Sequence, residues 1–279
     1  MQSNSNGILD LALDKIIFKE DNYKCITIDL VNNINYFIDN VDEKIKHFID
    51  EFTKEGKKAI WLLVPITSSH IIHYFTKHTF KFHHTENDSV LVMYRWLIAD
   101  KLCNLPNYAT HYLGVAALIL NKNGEILLVQ EKTSISKKLE NLWKIPTGLS
   151  EKGETIAQTV LREVKEETNL DVEYKGIINC RETHPYLFNT SDIFFICLCV
   201  CPNEGSLDIE KGGELKNFKW FSQDDIRTSM KENKFSPFTT KLMTEVLKSL
   251  PDEILNRVLE PSDEIKFLKS RMILHTPKY

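Results

Sequence analysis

The sequence predicts an α/β protein made of two successive units, each with its own core. Strand and helix patterns alternate in both halves of the 279-residue chain, and such alternation is typical of α/β folds. The segment 99–107, which contains Pro106, interrupts these patterns and is the predicted linker. We therefore expect a smaller α/β domain over 1–100, a second domain over 108–247 and a C-terminal extension over 248–279.

The first unit is predicted to contain strand, helix, strand, helix, strand and strand, in that order. Its first helix, over 40–54, follows from apolar residues that recur at helical spacing. A second helix is expected to start with Ser68 as its N-cap and to run to about Lys77. Adjacent strand residues point to opposite faces, so His83 and His84 are not expected to bind a metal together. The expected strands are KCITIDL (24–30), AIWLLV (59–64), Phe80–His84 and Ser89–Tyr94.

The second unit is predicted to place several strands around one central helix. A turn over 121–124 joins its first two strands as a hairpin. The alternation in ICLCVC places Cys197, Cys199 and Cys201 on one strand face, as reduced core residues. After about residue 236 the pattern is mainly helical, and the later FLKSRMILH is compatible with a strand or a helix. The expected strands are HYLGVAALIL (111–120), EILLVQE (125–131), 174–180, SDIFFICLCVC (191–201) and LKNFKWF (215–221).

Composition and charge exclude several functions. Hydrophobic residues make up 42% and charged residues 27% of the chain, as in globular proteins. A formal net charge of -4 does not favour bulk nucleic-acid binding, whereas small polyphosphates need only local charge. Asp10 and Asp14 stand where a targeting peptide would be basic, and no apolar run is long enough to span a membrane. We therefore expect a cytoplasmic protein that does not enter a membrane.

The stretch REVKEETNL (162–170) places acidic residues at the wrong end of a helix. Thr155 begins a capping-box pattern, so the helix is predicted to start there. Glu163, Glu166 and Glu167 stand at i, i+3 and i+4, share one stripe and lie at the helix end that favours cations. These repulsions cost about 1–3 kcal/mol in total. A divalent cation bound to the stripe would reverse the sign, and a solvated acidic face is the alternative.

The upstream spacing favours the metal-binding interpretation. The chain fits the pattern G-x5-E-x7-R-E-U-x-E-E-x-G-U, in which U is aliphatic, from Gly148 through Glu154 to Leu170. This pattern is the Nudix box, so the chain resembles the Nudix hydrolase family. Only Asn169 departs from it, in place of a glycine, and asparagine tolerates the left-handed cap conformation. The resemblance implies a Nudix α/β/α sandwich, a Mg²⁺ or Mn²⁺ cofactor and hydrolysis of a pyrophosphate bond.

Other segments indicate which members of the family the chain resembles. LWKIPTGLSEKGE, RETH, SDIFFICL and ELKNFKWF are similar to a plant subgroup that hydrolyses ADP-ribose and NADH, some members of which act on coenzyme A. They are also similar to the animal protein known as the fibroblast growth factor antisense product. These relatives have an N-terminal extension that resembles part of an acetyltransferase-like fold. The first unit lacks a glycine-rich acetyl-CoA loop, so we interpret it as a binding or dimerisation module. The relatives also imply a homodimer.

The resemblance assigns the metal-binding roles by position. It implies that the carboxylates of Glu163, Glu166 and Glu167 bind the metal, with the carbonyl of Gly148 as a further ligand. Arg162 is then expected to pair with these carboxylates and hold them in place.

The other candidate site residues each have two interpretations. The general base is left open between Glu214, which matches a loop position in the family, and a box glutamate such as Glu163. Arg181 is a possible bidentate phosphate ligand, with a structural ion pair as the alternative. His184 matches a histidine of the plant pattern and is assigned to substrate binding, with a loop role as the alternative.

These assignments predict the pyrophosphatase reaction on a small-molecule nucleotide, with ADP-ribose or NADH as the substrate. Coenzyme A or mRNA-cap hydrolysis is the alternative within the family. A non-catalytic regulatory or binding protein, or an acetyltransferase role for the first unit, would be a different class. An RNA substrate usually needs a basic path, which the net charge does not indicate and does not exclude. The sequence does not identify the substrate, because selectivity depends on the loops 131–141, 183–189 and 202–213.

Overall fold

A computed structural model describes residues 16–37, 39–133, 137–139, 141–203, 213–248, 259–267 and 270–277. The chain divides into two compact units, Met1–Tyr108 and Ala109–Tyr279, and each is described by itself. No helix in the described ranges is long and apolar enough to cross a bilayer.

The first unit is a five-stranded sheet with helices on one face. The strands lie in the order β1-β2-β3-β5-β4; β2 and β3 are parallel and the other pairs are antiparallel. The elements are β1 (Phe18–Glu20), β2 (Cys25–Asp29), α1 (Leu30–Asn33), α2 (Val41–Lys54), β3 (Ala59–Pro65), α3 (Ile72–Lys77), β4 (Lys81–Glu86) and β5 (Val90–Trp96).

The amphipathic helix α2 contributes several side chains to the core of this unit. Its residues Ile45, Phe48 and Phe52 are fully buried in the same core cluster as Ile60 and Leu62 of β3. Each such side chain contributes about 1.5–3 kcal/mol when it leaves water. The predicted helix over 40–54 is therefore correct, and its apolar stripe forms the core of the unit.

Two expectations for the first unit are wrong. Ser68 does not start a helix, because Ile66–Ile71 forms a 3-10 segment and α3 begins after it. The amide of Ile66 donates to the carbonyl of Ser89 (2.8 Å), which keeps the chain on the sheet at that point. His83 and His84 do not point to opposite faces either. A register shift after Phe82 brings their Nδ1 atoms to 2.6 Å, because a bulge breaks the alternation of a strand.

The second unit is a mixed sheet with helices on both faces. The strand order is β11-β7-β6-β10-β9-β12-β13, and β8 pairs with β6. β6 and β10 are parallel, and the hairpin from β6 to β7 is paired at Leu120 and Ile126. The elements are β6 (His111–Leu120), β7 (Ile126–Glu131), β8 (Thr147–Leu149), α4 (Ile156–Thr168), β9 (Glu173–Thr183), β10 (Ser191–Val200), β11 (Leu215–Phe221), α5 (Gln223–Lys231), α6 (Pro237–Val246), β12 (Leu259–Phe267) and β13 (Ser270–Pro277).

Alternate residues of the central strands supply two separate cores. Even-numbered residues of β6 and β10 pack with α5 and α6 through side chains such as Ile226 and Met243. Odd-numbered residues, including Cys197 and Cys199, pack with Val160 and Val164 of α4. The two-faced burial confirms an α/β fold with α4 on one side of the sheet. The three alternating cysteines are buried in one core cluster, on one face of the sheet, as predicted.

The ends of α4 and the course of the C-terminal segment follow from local chemistry. The side chain of Thr155 accepts from the amide of Gln158 in a capping box, and Asn169 ends the helix in the left-handed conformation, with φ of 58°. Both features were predicted. FLKSRMILH, for which strand and helix were both compatible, contributes the end of β12 and most of β13. These two strands pair with each other, and Leu259 pairs with Ile177 of β9.

Candidate active site

The short strand β8 brings the beginning of the box against the middle of α4. Gly148 lies opposite Val115 of β6 in an antiparallel pair. A Cβ at Gly148 would stand 1.8 Å from Cδ of Glu163 and 2.2 Å from each of its carboxylate oxygens. A Cβ at this position would therefore force the flexible Glu163 carboxylate to move. The backbone of Gly148 and the carboxylate of Glu163 consequently share one small space.

The Arg162 guanidinium connects the carboxylates of the box. Its Nε and Nη2 donate to the two oxygens of Glu154, at 2.7 and 3.0 Å. Its Nη1 donates to Glu163 (2.9 Å) and Glu166 (3.1 Å). Nη2 also donates to the carbonyl of Leu149 (3.0 Å). This five-bond arrangement offsets the repulsion expected at the acidic end of α4.

Glu154 fixes the loop that leads into α4. Besides the bonds from Arg162, its Oε2 accepts from the amide of Glu151 (2.9 Å) and from Oγ1 of Thr159 (3.0 Å). The hydrogen bonds from Arg162, then that from Glu151, lower the pKa of Glu154 to about 2. The carboxylate therefore remains charged and holds the loop at any physiological pH.

The three glutamates of the predicted stripe occupy different environments. The side chain of Glu166 is 60% exposed, whereas Glu167 is 6% exposed and accepts from the amide of Thr147 (3.2 Å). Burial raises the pKa of Glu167 to about 8 and also raises the pKa of Glu163. Two of the three carboxylates are therefore held partly desolvated, which is costly unless a cation compensates them.

Lys144 is a site residue that the sequence reading missed. Its Nζ forms an ion pair with Glu131 and donates to Oγ1 of Thr147 (3.0 Å). Its charge also opposes the rise in the pKa of Glu167. The signal was present as the one basic residue between apolar neighbours in LWKIP, but its partner Glu131 lies on another strand.

Glu214 lies close enough to the box to act on it electrostatically. It is exposed and directly precedes β11, and its carbonyl accepts from the amide of Lys132 (2.8 Å). Its charge raises the pKa of both Glu163 and Glu167. The role of Glu214 as the general base stays a prediction.

Arg181 and His184 have partners outside this cluster. Arg181 forms an ion pair with Asp192, which is fully buried (3.0 Å), and its guanidinium stacks on Phe194 at 4.3 Å from the ring centre. Nδ1 of His184 lies 2.6 Å from Oγ of Ser191. The structural ion pair, one of the two interpretations of Arg181, is therefore present. Substrate binding by Arg181 and His184 stays a prediction.

The chemistry of the cluster fits a divalent cation of the Mg²⁺ or Mn²⁺ type. The donors are hard oxygens, namely the carboxylates of Glu163, Glu166 and Glu167 and the carbonyl of Gly148. The raised pKa of buried Glu167 indicates a carboxylate that lacks a full counter-charge. Within the described ranges, however, no three acidic, histidine or cysteine side chains already converge on one point as a finished metal site. Arg162 donates to Glu163 and Glu166 from one side of this group of carboxylates.

The fold and the site together define a class of protein. A mixed sheet lies between helices, and a strand, loop and helix present clustered carboxylates beside a glycine. This is the architecture expected of a hydrolase that acts on a phosphorylated substrate.

Comparison with known proteins identifies the family. A family model described as NUDIX domain matches residues 110–243, and another described as Nudix hydrolase domain matches residues 17–97. The protein Nudix hydrolase 5 of Arabidopsis thaliana is 32% identical over 230 residues, which cover 82% of this chain and 74% of that protein. The chain belongs to the Nudix hydrolase family, and the resemblance seen in the sequence is confirmed.

Other relatives match shorter parts. Nucleoside diphosphate-linked moiety X motif 6 of Homo sapiens is 38% identical over 152 residues, which are 53% of this chain and 46% of that protein. Among solved structures, the MutT protein from Methanosarcina mazei Go1 is 22% identical, with a TM-score of 0.39, over 51% of this chain and 96% of that one. The chain therefore spans most of the first relative and about half of the human one.

Replacement of Gly148 by alanine is expected to displace the Glu163 carboxylate, because the new methyl group would occupy its place. A shift of about 1 Å in a catalytic group costs on the order of 10²-fold in rate. We expect kcat/KM of Gly148→Ala to fall by about that factor, with a small change in stability. Leu149→Ala, at the exposed neighbour in β8, is the control. Equal activity of Gly148→Ala and the parent would contradict the close approach.

Replacement of Glu167 by glutamine is expected to stabilise the metal-free protein at neutral and alkaline pH. The carboxyl titrates near 4.5 when unfolded and near 8 when folded. Between these values the folded state holds a proton that the unfolded state lacks, so the free energy of unfolding falls as pH rises. Glu167→Gln removes that fall, and urea denaturation at pH 8 should show a gain of about 1–4 kcal/mol.

The same comparison has an internal check. At pH 5 the difference between Glu167→Gln and the parent should shrink, because the parent carboxyl is then protonated when folded. Exposed Glu173→Gln is the matched control and should change stability little at either pH. Addition of Mg²⁺ should stabilise the parent more than Glu167→Gln. A stability difference independent of pH would refute the buried, proton-binding carboxyl.

Proposed function

We propose that this chain hydrolyses the pyrophosphate bond of a nucleoside diphosphate linked to another group, with ADP-ribose or NADH as the substrate. The observation that carries the proposal is the Glu163 carboxylate held against Gly148, beside buried Glu167. Family membership supports the coarse activity. The choice of ADP-ribose or NADH rests on the similarity of the box and its flanking segments to the plant subgroup.

The reaction needs a bound cation, residues that ligate this cation and a general base. The described residues can supply the ligands and the base. Water attacks one phosphorus, the bridging oxygen leaves with the other phosphate, and a base takes the proton of the water. A divalent cation, when bound, neutralises the pyrophosphate charge and orients the water. Glu163, Glu166 and Glu167 are the proposed ligands, and Arg162 holds Glu163 and Glu166 in position from one side.

We assign the general base to Glu214, with Glu163 as the second candidate. Glu214 is exposed to the solvent from which the water comes, and its charge acts on the carboxylates of Glu163 and Glu167. Glu163 is bonded to Arg162 and lies against Gly148. It is therefore better placed to bind a cation than to move a proton.

The alternatives remain distinguishable. Coenzyme A or mRNA-cap hydrolysis would use the same carboxylates with different selectivity loops. A non-catalytic regulatory role would be expected of a chain that had lost box carboxylates, and this chain retains them all. For the first unit the acetyltransferase-like character stays a prediction. A cytoplasmic location is proposed because the six cysteines show no CxxC pair and no disulfide-scaffold spacing. A homodimer is proposed from the relatives alone.

A substrate panel tests the proposed activity. The protein is incubated with ADP-ribose, NADH, coenzyme A and capped RNA, with Mg²⁺ or with a chelator, and products are separated by chromatography. We expect AMP from ADP-ribose or NADH in the presence of Mg²⁺, and loss of this product in Glu163→Gln. Product from coenzyme A or capped RNA alone would select the alternative substrates. Absence of product from all four would refute the hydrolase proposal.

The base assignment is tested by pH–rate profiles. Glu214→Gln should lower kcat by about 10²–10⁴-fold and remove the acidic limb of the profile. Affinity for Mg²⁺, measured by activation, should change little. Exposed Glu173→Gln is the matched control for loss of one carboxylate. If Glu214→Gln keeps the acidic limb and Glu163→Gln loses it, the base is the box glutamate.

A further inference from the structure

The second face of the first-unit sheet carries aromatic residues. The helices cover the face of Ile60 and Leu62, and the opposite face presents Trp61 of β3 across from Tyr94 of β5. Trp61 contacts Tyr94 with ring centres 5.7 Å apart and His83 with centres 5.0 Å apart. A sheet face that only meets water is usually polar. These large rings therefore indicate that something covers or binds the face.

The chain segment after β5 covers part of these rings. Nε1 of Trp96 donates to the carbonyl of Lys101 (3.2 Å), and Nε2 of His83 donates to the carbonyl of Pro106 (2.9 Å). Tyr108 stacks on His84, at 4.4 Å and 7°. The segment is thus fastened at three points along the sheet.

A cavity remains between this segment, the end of the sheet and the β1–β2 turn. Its volume is about 480 Å³, within the range of about 300–1,000 Å³ of small-molecule sites. Half-buried Trp61 and Trp96 provide flat apolar surfaces. The residues that line it include Asp21, Tyr23, Lys58, Trp61, Trp96 and Asn104.

Lys58 gives the cavity its charge preference. It is half-buried, and among the described residues its ammonium group has no hydrogen bond or ion pair. Asp21 also lines the cavity, but its Oδ1 accepts from the amides of Tyr23 and Cys25, both at 2.8 Å, so two backbone donors partly offset the charge of this carboxylate. An unpaired ammonium group beside indole rings favours an anion with a flat ring. The amide of Asn104 adds a donor and an acceptor at the rim.

We propose that this cavity binds a small planar heteroaromatic ring that carries an anionic group, the chemistry of a nucleoside monophosphate. The ring stacks on Trp61 or Trp96, and the anion pairs with Lys58. The site belongs to the first unit alone and does not depend on the hydrolase substrate proposed for the second.

Calorimetric titration of AMP into the full-length protein tests the proposal. A chelator is present, so that metal-dependent binding in the second unit does not contribute. Adenosine, inorganic phosphate and indole-3-carboxylate are titrated separately. We expect AMP to bind more tightly than adenosine, which lacks the anion, and than phosphate, which lacks the ring. Binding of indole-3-carboxylate instead of AMP would support the ring-and-anion chemistry and show that the source is not a nucleotide.

Variants locate the binding. Lys58→Gln should weaken the binding of AMP at least about tenfold, the usual loss for one charged hydrogen bond, and Trp61→Leu should also weaken it. Lys54→Gln, at an exposed lysine of α2 outside the cavity, should bind as the parent does. Failure of both AMP and indole-3-carboxylate to bind would overturn the proposal. Unchanged binding by Lys58→Gln would also overturn it, because the ligand would then lie elsewhere.

Fluorescence gives a second, independent readout. The chain has four tryptophans, so Trp143→Phe with Trp220→Phe leaves Trp61 and Trp96 as the reporters. Saturable quenching by the ligand in this double variant supports the site, and its absence contradicts it. If the double variant does not fold, the comparison of Lys58→Gln with Lys54→Gln decides the question in the otherwise intact protein.

Discussion

The hydrogen bonds of the Arg162 guanidinium stabilise the acidic end of α4 and the loop that precedes it. One planar group joins Glu154 of the loop, Glu163 and Glu166 of the helix and the carbonyl of Leu149 in β8. Without this cation the carboxylates would repel one another at the helix end that least tolerates negative charge. Because Arg162 is always charged, the arrangement persists over the whole physiological pH range.

The site also contains two carboxylates that are partly removed from water. The free-energy cost of this desolvation must be offset by the rest of the unit. Glu167 is buried with an amide of Thr147 as its hydrogen-bond donor, and Glu163 is partly buried against Gly148. Desolvated carboxylates destabilise a fold. The two apolar cores on either side of the second sheet supply the compensating stability. Desolvated carboxylates that persist at one place in a stable fold indicate a functional site.

The two sheets of the protein differ in the elements that cover their faces. The central strands of the second unit are apolar on both faces, and α4 covers one face while α5 and α6 cover the other. In the described part of the first unit, helices pack on one face of the sheet, and an extended segment lies over the aromatic face. An extended segment covers a sheet less completely than a helix does. The cavity beside Lys58 and the indoles follows from that difference.

Local patterns in the sequence determined the two-unit α/β organisation, most of the strands and both ends of α4. They also predicted the helix of the box and its acidic stripe, because capping and the i, i+3, i+4 spacing act between residues close in the chain. The tertiary structure decided which glutamate is buried, since Glu166 and Glu167 are adjacent in sequence but face solvent and core. It also decided that Lys144 pairs with Glu131 and that a bulge turns His83 toward His84. These outcomes depend on strand register and on contacts between distant segments, which no local pattern encodes.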